Sequence, residues 1–176
     1  MVWIHGGAWT LGGAYDVSAQ MLSAYADVVV VVITYRLAAL GFAFGNFGLW
    51  DQLEALKWVQ NNIAEYGGDR DNVTIFGESA GGWSVESLLS SKHTVGYFHK
   101  AIAQSGCLLG PSLENDAQFN ALMAFSRKYF NVENDNDLKE VMTSKTMDEI
   151  IEFYRAIPMA LGGFTGEIPK IRTTYC

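Results

Sequence analysis

Short apolar runs that stop at glycine or polar residues recur through the first two thirds of the chain. Residues 1–4 form one such run, residues 27–35 form a continuous β-branched run, and residues 72–76 form a third. Runs of this length, rich in valine and isoleucine, predict buried strands, and an uninterrupted run is typical of a strand covered on both faces. A fourth strand is predicted at residues 100–104.

Helical periodicity fills the intervals between these runs. Residues 50–65 carry apolar side chains at helical spacing, and the glycines at 67–68 give this predicted helix its stop. A second helix is predicted at residues 80–90. Residues 116–130 and 137–154 have the pattern of amphipathic helices, and no further strand is predicted after them. Strands that alternate with helices favour an α/β fold with a mainly parallel sheet and right-handed crossovers.

Composition narrows the classes of partner. The 176 residues are 49% hydrophobic and carry a formal net charge of −7 with no cluster of lysine or arginine, which argues against nucleic acid or an anionic membrane as the partner. Residues 28–33 are the longest apolar run, far shorter than the roughly 20 residues that a membrane-spanning helix needs. No metal-ligand spacing, phosphate loop or dinucleotide fingerprint is found, so no cofactor or metal is expected.

Localisation and oligomeric state are left open by the sequence. The first residues lack the basic, apolar and cleavage regions of a secretory signal, so we expect none in this chain. The two cysteines, Cys107 and Cys176, form no disulfide framework, and a bond between them has nothing to recommend it. The redox compartment therefore stays undetermined.

Two further polar features are interpreted without a substrate contact or a modification. Asp51 and Gln52, near the start of the helix at residues 50–65, are interpreted as helix caps in preference to substrate contacts. Residues 72–74 form an Asn-Val-Thr glycosylation sequon, but Thr74 falls inside a predicted buried strand, which disfavours modification.

A Gly-x-Ser-x-Gly pattern at residues 77–81 directly follows a predicted strand and opens the helix at residues 80–90. Alone this pattern is a weak signal, but a strand before it and a helix after it are the context of a nucleophilic serine. The chain must reverse sharply to expose the Ser79 hydroxyl, and side chains at Gly77 or Gly81 would crowd that turn. The alternative is a polar serine in an ordinary turn.

A His-Gly-Gly-Ala-Trp segment at residues 5–9 follows the first predicted strand. The backbone N–H groups of Gly7 and Ala8, with that of Ala80 at the helix start, would supply donors for an oxyanion. The alternative for this segment by itself is a plain turn that ends a strand. Both segments on one chain, in this order, favour the catalytic interpretation.

Together these segments resemble the type B carboxylesterases, a family with the α/β-hydrolase fold that includes the cholinesterases. The resemblance lies in VWIHGGAW, VVVVVITYRLAALGF, the stretch from GNFGLWDQ to GESAGG, and FHKAIAQSG. It covers roughly residues 2–155 and is strongest at residues 46–106. It implies a serine carboxylic ester hydrolase that acts on small-molecule esters through an acyl-enzyme, without a cofactor. It also implies that residues 1–176 are a partial carboxylesterase domain, with residues 156–176 as a divergent tail.

The resemblance assigns roles by position. Ser79 falls on the nucleophile, and Glu78 falls on a buried acidic residue beside it. Ser105 falls on a serine in the hydrogen-bond network behind the nucleophile. For Glu78 and Ser105 the alternative is a polar group with no chemical part. The residues that fall on the oxyanion donors are Gly7, Ala8 and Ala80.

The same resemblance leads to a sheet topology. We expect the strand order 28–35, 2–5, 73–77, 100–105, with Ser79 at the carboxyl end of the third strand in this order. Both flanks of the family's sheet would then be absent, so the fold is expected to be incomplete at both ends. The apolar strand at the outer edge would favour aggregation or chaperone binding.

Ser79 lacks the partners that the chemistry needs. A nucleophilic serine requires a histidine base held by an acid, and α/β-hydrolases bring the acid and the histidine after the serine. Of the three histidines, His5 belongs to the oxyanion segment, and His93 lies roughly 20 Å away at ~1.5 Å per helical residue. His99 lies about 16 Å below Ser79 at a strand start. We therefore expect a truncated chain that is inactive alone.

Two classes of function remain open at this point. The first is a serine ester hydrolase, of which this chain is the central piece. The second is a non-catalytic, esterase-like binding or adhesion protein, or an inert truncated product. The complete serine turn and oxyanion segment favour esterase descent, whereas the missing base favours an incomplete chain.

Overall fold

The computed structural model describes residues 1–42, 44–106 and 116–157. These residues fall into two compact units, one holding the described residues up to 106 and the other those from 116 onward. Cys107, Cys176 and the expected tail from residue 158 onward lie outside the described residues.

Four parallel strands form the sheet of the first unit, in the order β2-β1-β3-β4. Val2 pairs with Val31 on one side and with Ile75 on the other, so β1 is central. The predicted strand order and the parallel direction are confirmed. The strands are β1 (Val2–Ile4), β2 (Val31–Val32), β3 (Thr74–Glu78) and β4 (Lys100–Gln104).

The helices of the first unit are α1 (Gln20–Ala26), α2 (Ala38–Phe42), α3 (Phe47–Asn62) and α4 (Ala80–Ser90). The predicted helix at residues 50–65 begins earlier, at Phe47, and its last turn tightens into a 3₁₀ turn at Ile63–Tyr66. Gly67 ends that turn with φ +79°, a conformation that favours glycine, so the predicted stop is confirmed. Short 3₁₀ turns also occur at Ala14–Asp16 and Lys92–Thr94.

The β-branched run at residues 27–35 differs from its prediction. Only Val31–Val32 forms a regular strand, and both residues are half-buried. The chain stays paired with β1 beyond that strand, since Met1 donates to the Val29 carbonyl and Ile33 donates to the Trp3 carbonyl. Ile33 and Tyr35 of this run are buried, whereas Val31 and Val32 are only half-buried, so the expected cover on both faces is incomplete. Among the described residues β2 pairs with β1 alone. The unpaired apolar edge expected here is present in the described sheet.

The core of the first unit lies between the sheet and helices α3 and α4. α3 buries Leu53 and Leu56, and α4 buries Val85 and Leu88. Burying a side chain of this size stabilises the fold by about 1.5–3 kcal/mol. In contrast, every residue of β4 is exposed. The buried strand residues are Val2, Ile4 and Ile75.

The second unit contains three helices: α5 (Asp116–Phe130), α6 (Asp135–Ser144) and α7 (Met147–Ala156). The predicted helix at residues 137–154 is therefore wrong, because two helices meet there. Thr146 separates them as the N-cap of α7, where it forms a capping box with Glu149. Its hydroxyl accepts from the Glu149 N–H, and the Glu149 carboxylate accepts from the Thr146 N–H. Phe153 is fully buried, and its ring centroid lies 4.8 Å from that of Phe130.

Arg36 and Asp51 join the segment after β2 to α3. The backbone N–H and the Nε of Arg36 both donate to Asp51 Oδ2, at 2.9 and 2.7 Å, and Nη2 donates to Oδ1 at 2.7 Å. Partial burial raises the pKa of Asp51, but the hydrogen bonds and charge of Arg36 outweigh burial and hold that pKa below its ordinary value. Asp51 lies within α3, whose N-cap is Asn46, so its interpretation as a cap was wrong.

Asp51→Asn is expected to lower the free energy of unfolding by about 1 kcal/mol at neutral pH, a small value because the exposed Arg36 side chain is screened by solvent. Since folding lowers the pKa of Asp51, its carboxylate stabilises fully above the unfolded pKa, about 4, and this is lost as pH falls through the folded pKa. Urea unfolding at neutral and acid pH measures both effects.

The control for this prediction is Glu54→Gln, which removes the exposed ion pair between Glu54 and Lys57 on the same helix. That change should lower the free energy of unfolding less than Asp51→Asn does, because solvent screens this exposed pair. A difference between wild type and Asp51→Asn that is the same at both pH values would contradict the assigned role of the carboxylate.

Candidate active site

Ser79 joins β3 directly to α4 in a conformation that is rare for serine. Its φ is +56° and its ψ is −121°. A residue other than glycine held in such a region costs about 1–3 kcal/mol and persists only when its surroundings fix it. The Ser79 N–H donates to the Gln104 carbonyl at 2.8 Å, and the Ser79 carbonyl accepts from the Trp83 N–H at 3.0 Å. The backbone of Ser79 is thus held by β4 and by α4.

Gly77 and Gly81 allow this turn to pack on the backbone of β1. A Cβ at Gly77 would lie 2.6 Å from the carbonyl oxygens of Gly81 and Ile4. A Cβ at Gly81 would overlap the Ile4 carbonyl oxygen. The prediction that side chains here would crowd the turn is confirmed, and the atoms in the way belong to β1 as well as to the turn itself.

Residues 7–9 form a loop of three consecutive residues with positive φ. The angles are +103° at Gly7, +53° at Ala8 and +54° at Trp9. The Gly7 carbonyl accepts from the N–H groups of Thr10 and Leu11, both at 3.0 Å. The loop is therefore folded back on itself, with two non-glycine residues in strained conformations.

This loop begins beside Ser79. A Cβ built on Gly6 would lie 3.3 Å from the Ser79 Cβ and 2.6 Å from the Glu78 carbonyl oxygen, so only glycine fits between the loop and the serine turn. The pairing of β1 with β3 explains the proximity, because parallel neighbours end at the same edge of the sheet.

Backbone N–H groups on both sides of Ser79 are free to bind an anion. Those of Gly7, Ala8 and Ala80 make no hydrogen bond to any of the described residues. The first N–H groups of a helix lack intrahelical partners and carry the positive end of its dipole, which here is the start of α4. Such groups, fixed in place, can stabilise negative charge that develops on an oxygen.

Each of the three histidines of the sequence has partners other than Ser79. His5 is buried and stacks on Tyr35 with ring centroids 4.4 Å apart, and the Tyr35 hydroxyl donates to the His5 carbonyl at 2.7 Å. Burial raises the pKa of Tyr35 above its ordinary value. His5 is thus part of the core, as the sequence predicted.

His93 and His99 also have other partners. His93 is exposed in the turn after α4, and its ring meets Trp50 edge-on at 5.3 Å. His99 Nδ1 accepts from the Val73 N–H at 3.2 Å, just before β3 begins. Ser79 lies at the opposite end of that strand, about 20 Å away at ~3.3 Å per residue. Among the described residues, no hydrogen bond or ring contact of these histidines involves Ser79.

The carboxylesterase family model matches residues 1–173. The chain belongs to the carboxylesterase family. It is 54% identical over 120 residues to liver carboxylesterase 1F of Rattus norvegicus, a match that covers 64% of this chain and 21% of that protein. It is 55% identical over 120 residues to cocaine esterase of Homo sapiens, covering 64% and 22%. The chain thus spans about a fifth of the length of the curated relatives it matches.

Solved esterase structures share the α/β-hydrolase fold with this carboxylesterase-family chain. Juvenile hormone esterase from Manduca sexta matches with a TM-score of 0.79 and 27% identity, over 92% of this chain and 32% of that one. A thermophilic PNB esterase matches with a TM-score of 0.69 and 36% identity, over 90% and 35%. The fold class predicted from the sequence is confirmed.

Two assignments carried over from the carboxylesterase resemblance differ from the structure. Glu78 was expected to be a buried acid beside the nucleophile, but its side chain is exposed. Ser105 was expected in a hydrogen-bond network behind the nucleophile, but it is also exposed, with φ +52°. Both residues lie at the carboxyl ends of their strands, where no described segment covers their side chains.

One buried polar cluster was missed by the sequence analysis. Ser84 Oγ accepts from Trp9 Nε1 at 2.8 Å and from Gln52 Nε2 at 3.1 Å, and all three side chains are fully buried. The interpretation of Gln52 as a helix cap was therefore wrong, since the N-cap of α3 is Asn46. A signal existed in the pattern, since Gln52 lies on the same helical face as Leu49 and Leu56, where an apolar residue would be expected.

Within the described ranges, no helix combines the length and the apolar character needed to cross a bilayer. The same residues contain no group of three or more histidine, cysteine, aspartate or glutamate side chains arranged to hold a metal ion.

Proposed function

We propose that this chain carries the nucleophile and the oxyanion hole of a serine carboxylic ester hydrolase. The observation that carries the proposal is the strained backbone of Ser79, φ +56°, at the junction of β3 and α4. Residues held in such conformations cluster at active sites, because the surrounding contacts must offset the cost of the strain. Family membership and esterase neighbours support the same reaction class.

In the proposed reaction, Ser79 Oγ attacks the carbonyl carbon of a small-molecule ester. A bond forms between Oγ and that carbon, the serine proton passes to a base, and the carbonyl oxygen becomes an oxyanion. Collapse of this intermediate expels the alcohol, which takes up the proton, and leaves an acyl-enzyme. Water then releases the carboxylic acid by the same steps.

The oxyanion is proposed to bind the N–H groups of Gly7, Ala8 and Ala80. Their freedom from hydrogen bonds within the described part of the chain supports this, as does the place of Gly6 against Ser79. Loss of a single donor of this kind costs roughly 10²–10³-fold in rate, so the loop at residues 7–9 is as important as the serine's own turn.

The general base is proposed to come from residues that this sequence does not contain. His5 is stacked on Tyr35, His93 is exposed beyond α4, and His99 binds the backbone before β3. The absence of a described contact between any of these side chains and Ser79 also favours the second candidate, a non-catalytic esterase-like binding protein. A binding module has no use for a strained serine and free N–H groups, so the hydrolase remains the better-supported function.

A chimera tests the proposed nucleophile. The stretch of 120 residues that matches cocaine esterase would replace its counterpart in that full-length protein, which supplies the remaining residues. We expect a fluorophosphonate probe to label the chimera. Ser79→Ala should abolish labelling and lower ester hydrolysis by at least ~10³-fold, because triad members act as a unit.

Ser87→Ala is the matched control for the chimera, since Ser87 lies two turns along α4 and its hydroxyl donates to the Trp83 carbonyl of the same helix. This variant should label like the parent chimera. Labelling that survives Ser79→Ala, or a chimera that folds by circular dichroism and takes no label, would refute the assignment.

A further inference from the structure

The loop at residues 7–9 needs an anchor, because Ala8 and Trp9 both hold positive φ without being glycine. Trp9 is the residue of this loop that packs into the first unit. Its indole is fully buried and packs at 5.8 Å from the Phe42 ring and 5.5 Å from the Trp83 ring. Its carbonyl accepts from the Ala38 N–H at 2.6 Å. Because Trp9 is held in place by these contacts, it also restrains the backbone of Ala8, the residue before it.

We infer that Ser84 is a positioning residue for this loop, acting through its hydrogen bond to the Trp9 indole. Ser84 lies on α4, the helix that starts at the proposed nucleophile, whereas Trp9 directly follows the proposed oxyanion donors. The bond thus fixes the loop to the element that carries Ser79. The inference rests on the proposed function of Gly7 and Ala8 as donors.

Gln52 holds Ser84 in the orientation that this bond requires. Its Nε2 donates to Ser84 Oγ at 3.1 Å, so the hydroxyl oxygen accepts two N–H groups, one from α3 and one from the loop. Buried polar groups that find partners define a single arrangement, because any alternative packing leaves them unsatisfied. Gln52 Oε1 has no hydrogen-bond partner among the described residues, so the Ser84 hydroxyl is the only described hydrogen-bond partner of this amide.

A purely structural role for Ser84 makes a different prediction from a positioning role. Loss of packing would lower stability and leave the loop's own amide environment unchanged in the folded molecules. Loss of positioning would alter the N–H groups of Gly7 and Ala8 in molecules that remain folded. Nuclear magnetic resonance of the ¹⁵N-labelled chain separates these outcomes, since it reports each amide and each tryptophan indole individually.

In Ser84→Ala, we expect the Trp9 indole N–H to exchange with solvent about tenfold faster and the Gly7 and Ala8 amide signals to shift or broaden. In Ser87→Ala, on the same helix, these signals should match wild type. Trp9→Phe assigns the indole signal. Unchanged Gly7 and Ala8 signals in folded Ser84→Ala would overturn the inference.

A measurement on the unmodified chain keeps the inference testable if Ser84→Ala does not fold. The Trp9 indole should exchange far more slowly than the indoles of Trp50 and Trp58, which are partly exposed. Exchange as fast as theirs would refute the anchor. None of these signals depends on acylation of Ser79, so failure of the nucleophile assignment in the chimera would leave this test intact, and the reverse also holds.

Discussion

Gly81→Ala is expected to prevent the first unit from folding. The added Cβ would overlap the Ile4 carbonyl oxygen and would lie 3.0 Å from the His5 backbone. These are main-chain atoms at the end of the central strand, so relief requires the sheet itself to move. We expect a cost above about 4 kcal/mol, a large part of the 5–15 kcal/mol that stabilises a typical domain. Circular dichroism and urea unfolding measure the loss.

Gly96→Ala is the control for this prediction. Gly96 has φ +87°, and a Cβ there would meet no atom within 4 Å. The change introduces only the cost of a left-handed residue, about 1–2 kcal/mol, and leaves the fold intact. If Gly81→Ala were no more destabilising than Gly96→Ala, the close packing of the serine turn on β1 would be wrong.

The 176-residue chain by itself is expected to hydrolyse a p-nitrophenyl ester no faster than its Ser79→Ala variant. Without a base, the Ser79 hydroxyl keeps its proton, and general-base assistance is worth roughly 10²–10⁴-fold. The proposed oxyanion donors can stabilise charge only after the serine has attacked, and without a base that attack is rare. Stopped assays with both proteins at equal concentration, corrected for spontaneous hydrolysis, give the comparison.

The chimera with cocaine esterase is the positive control for that assay, because the same serine turn then acts together with the partner's residues. A turnover by the isolated chain that depends on Ser79 would contradict the expectation. It would mean that a base lies within reach of the serine, and substitution of His93 and of His99 would show which residue provides it.

The serine turn could be predicted from the sequence because every local signal agrees there. A β-branched run, a Gly-x-Ser-x-Gly pattern and a helical segment follow one another, and the bounds of α4 and β4 match the predictions. Parallel pairing and strand order followed from the same alternation and from the family resemblance. Features that depend on short-range geometry and on a strong sequence pattern could thus be predicted.

Other features depend on contacts that a sequence pattern does not show. α1 has no buried residue, so no apolar stripe marks it. The exposure of Glu78 depends on which segments cover the carboxyl end of β3, and a local pattern does not show that. Two misses had visible signals: the Thr-x-x-Glu capping box that begins with Thr146, and Gln52 on an apolar helical face.

The parallel pairing of β1 with β3 has a consequence for how the chain folds. The serine turn packs on the Ile4 carbonyl, but Ile4 pairs with Gly77, a residue ~70 positions later in the chain. At the usual rate of synthesis, roughly 4–14 s pass between the emergence of the two segments from the ribosome. During that interval β1 has no partner on this side, and Ser79 cannot take up its strained geometry until the strands meet. The serine turn therefore forms only once both segments have left the ribosome.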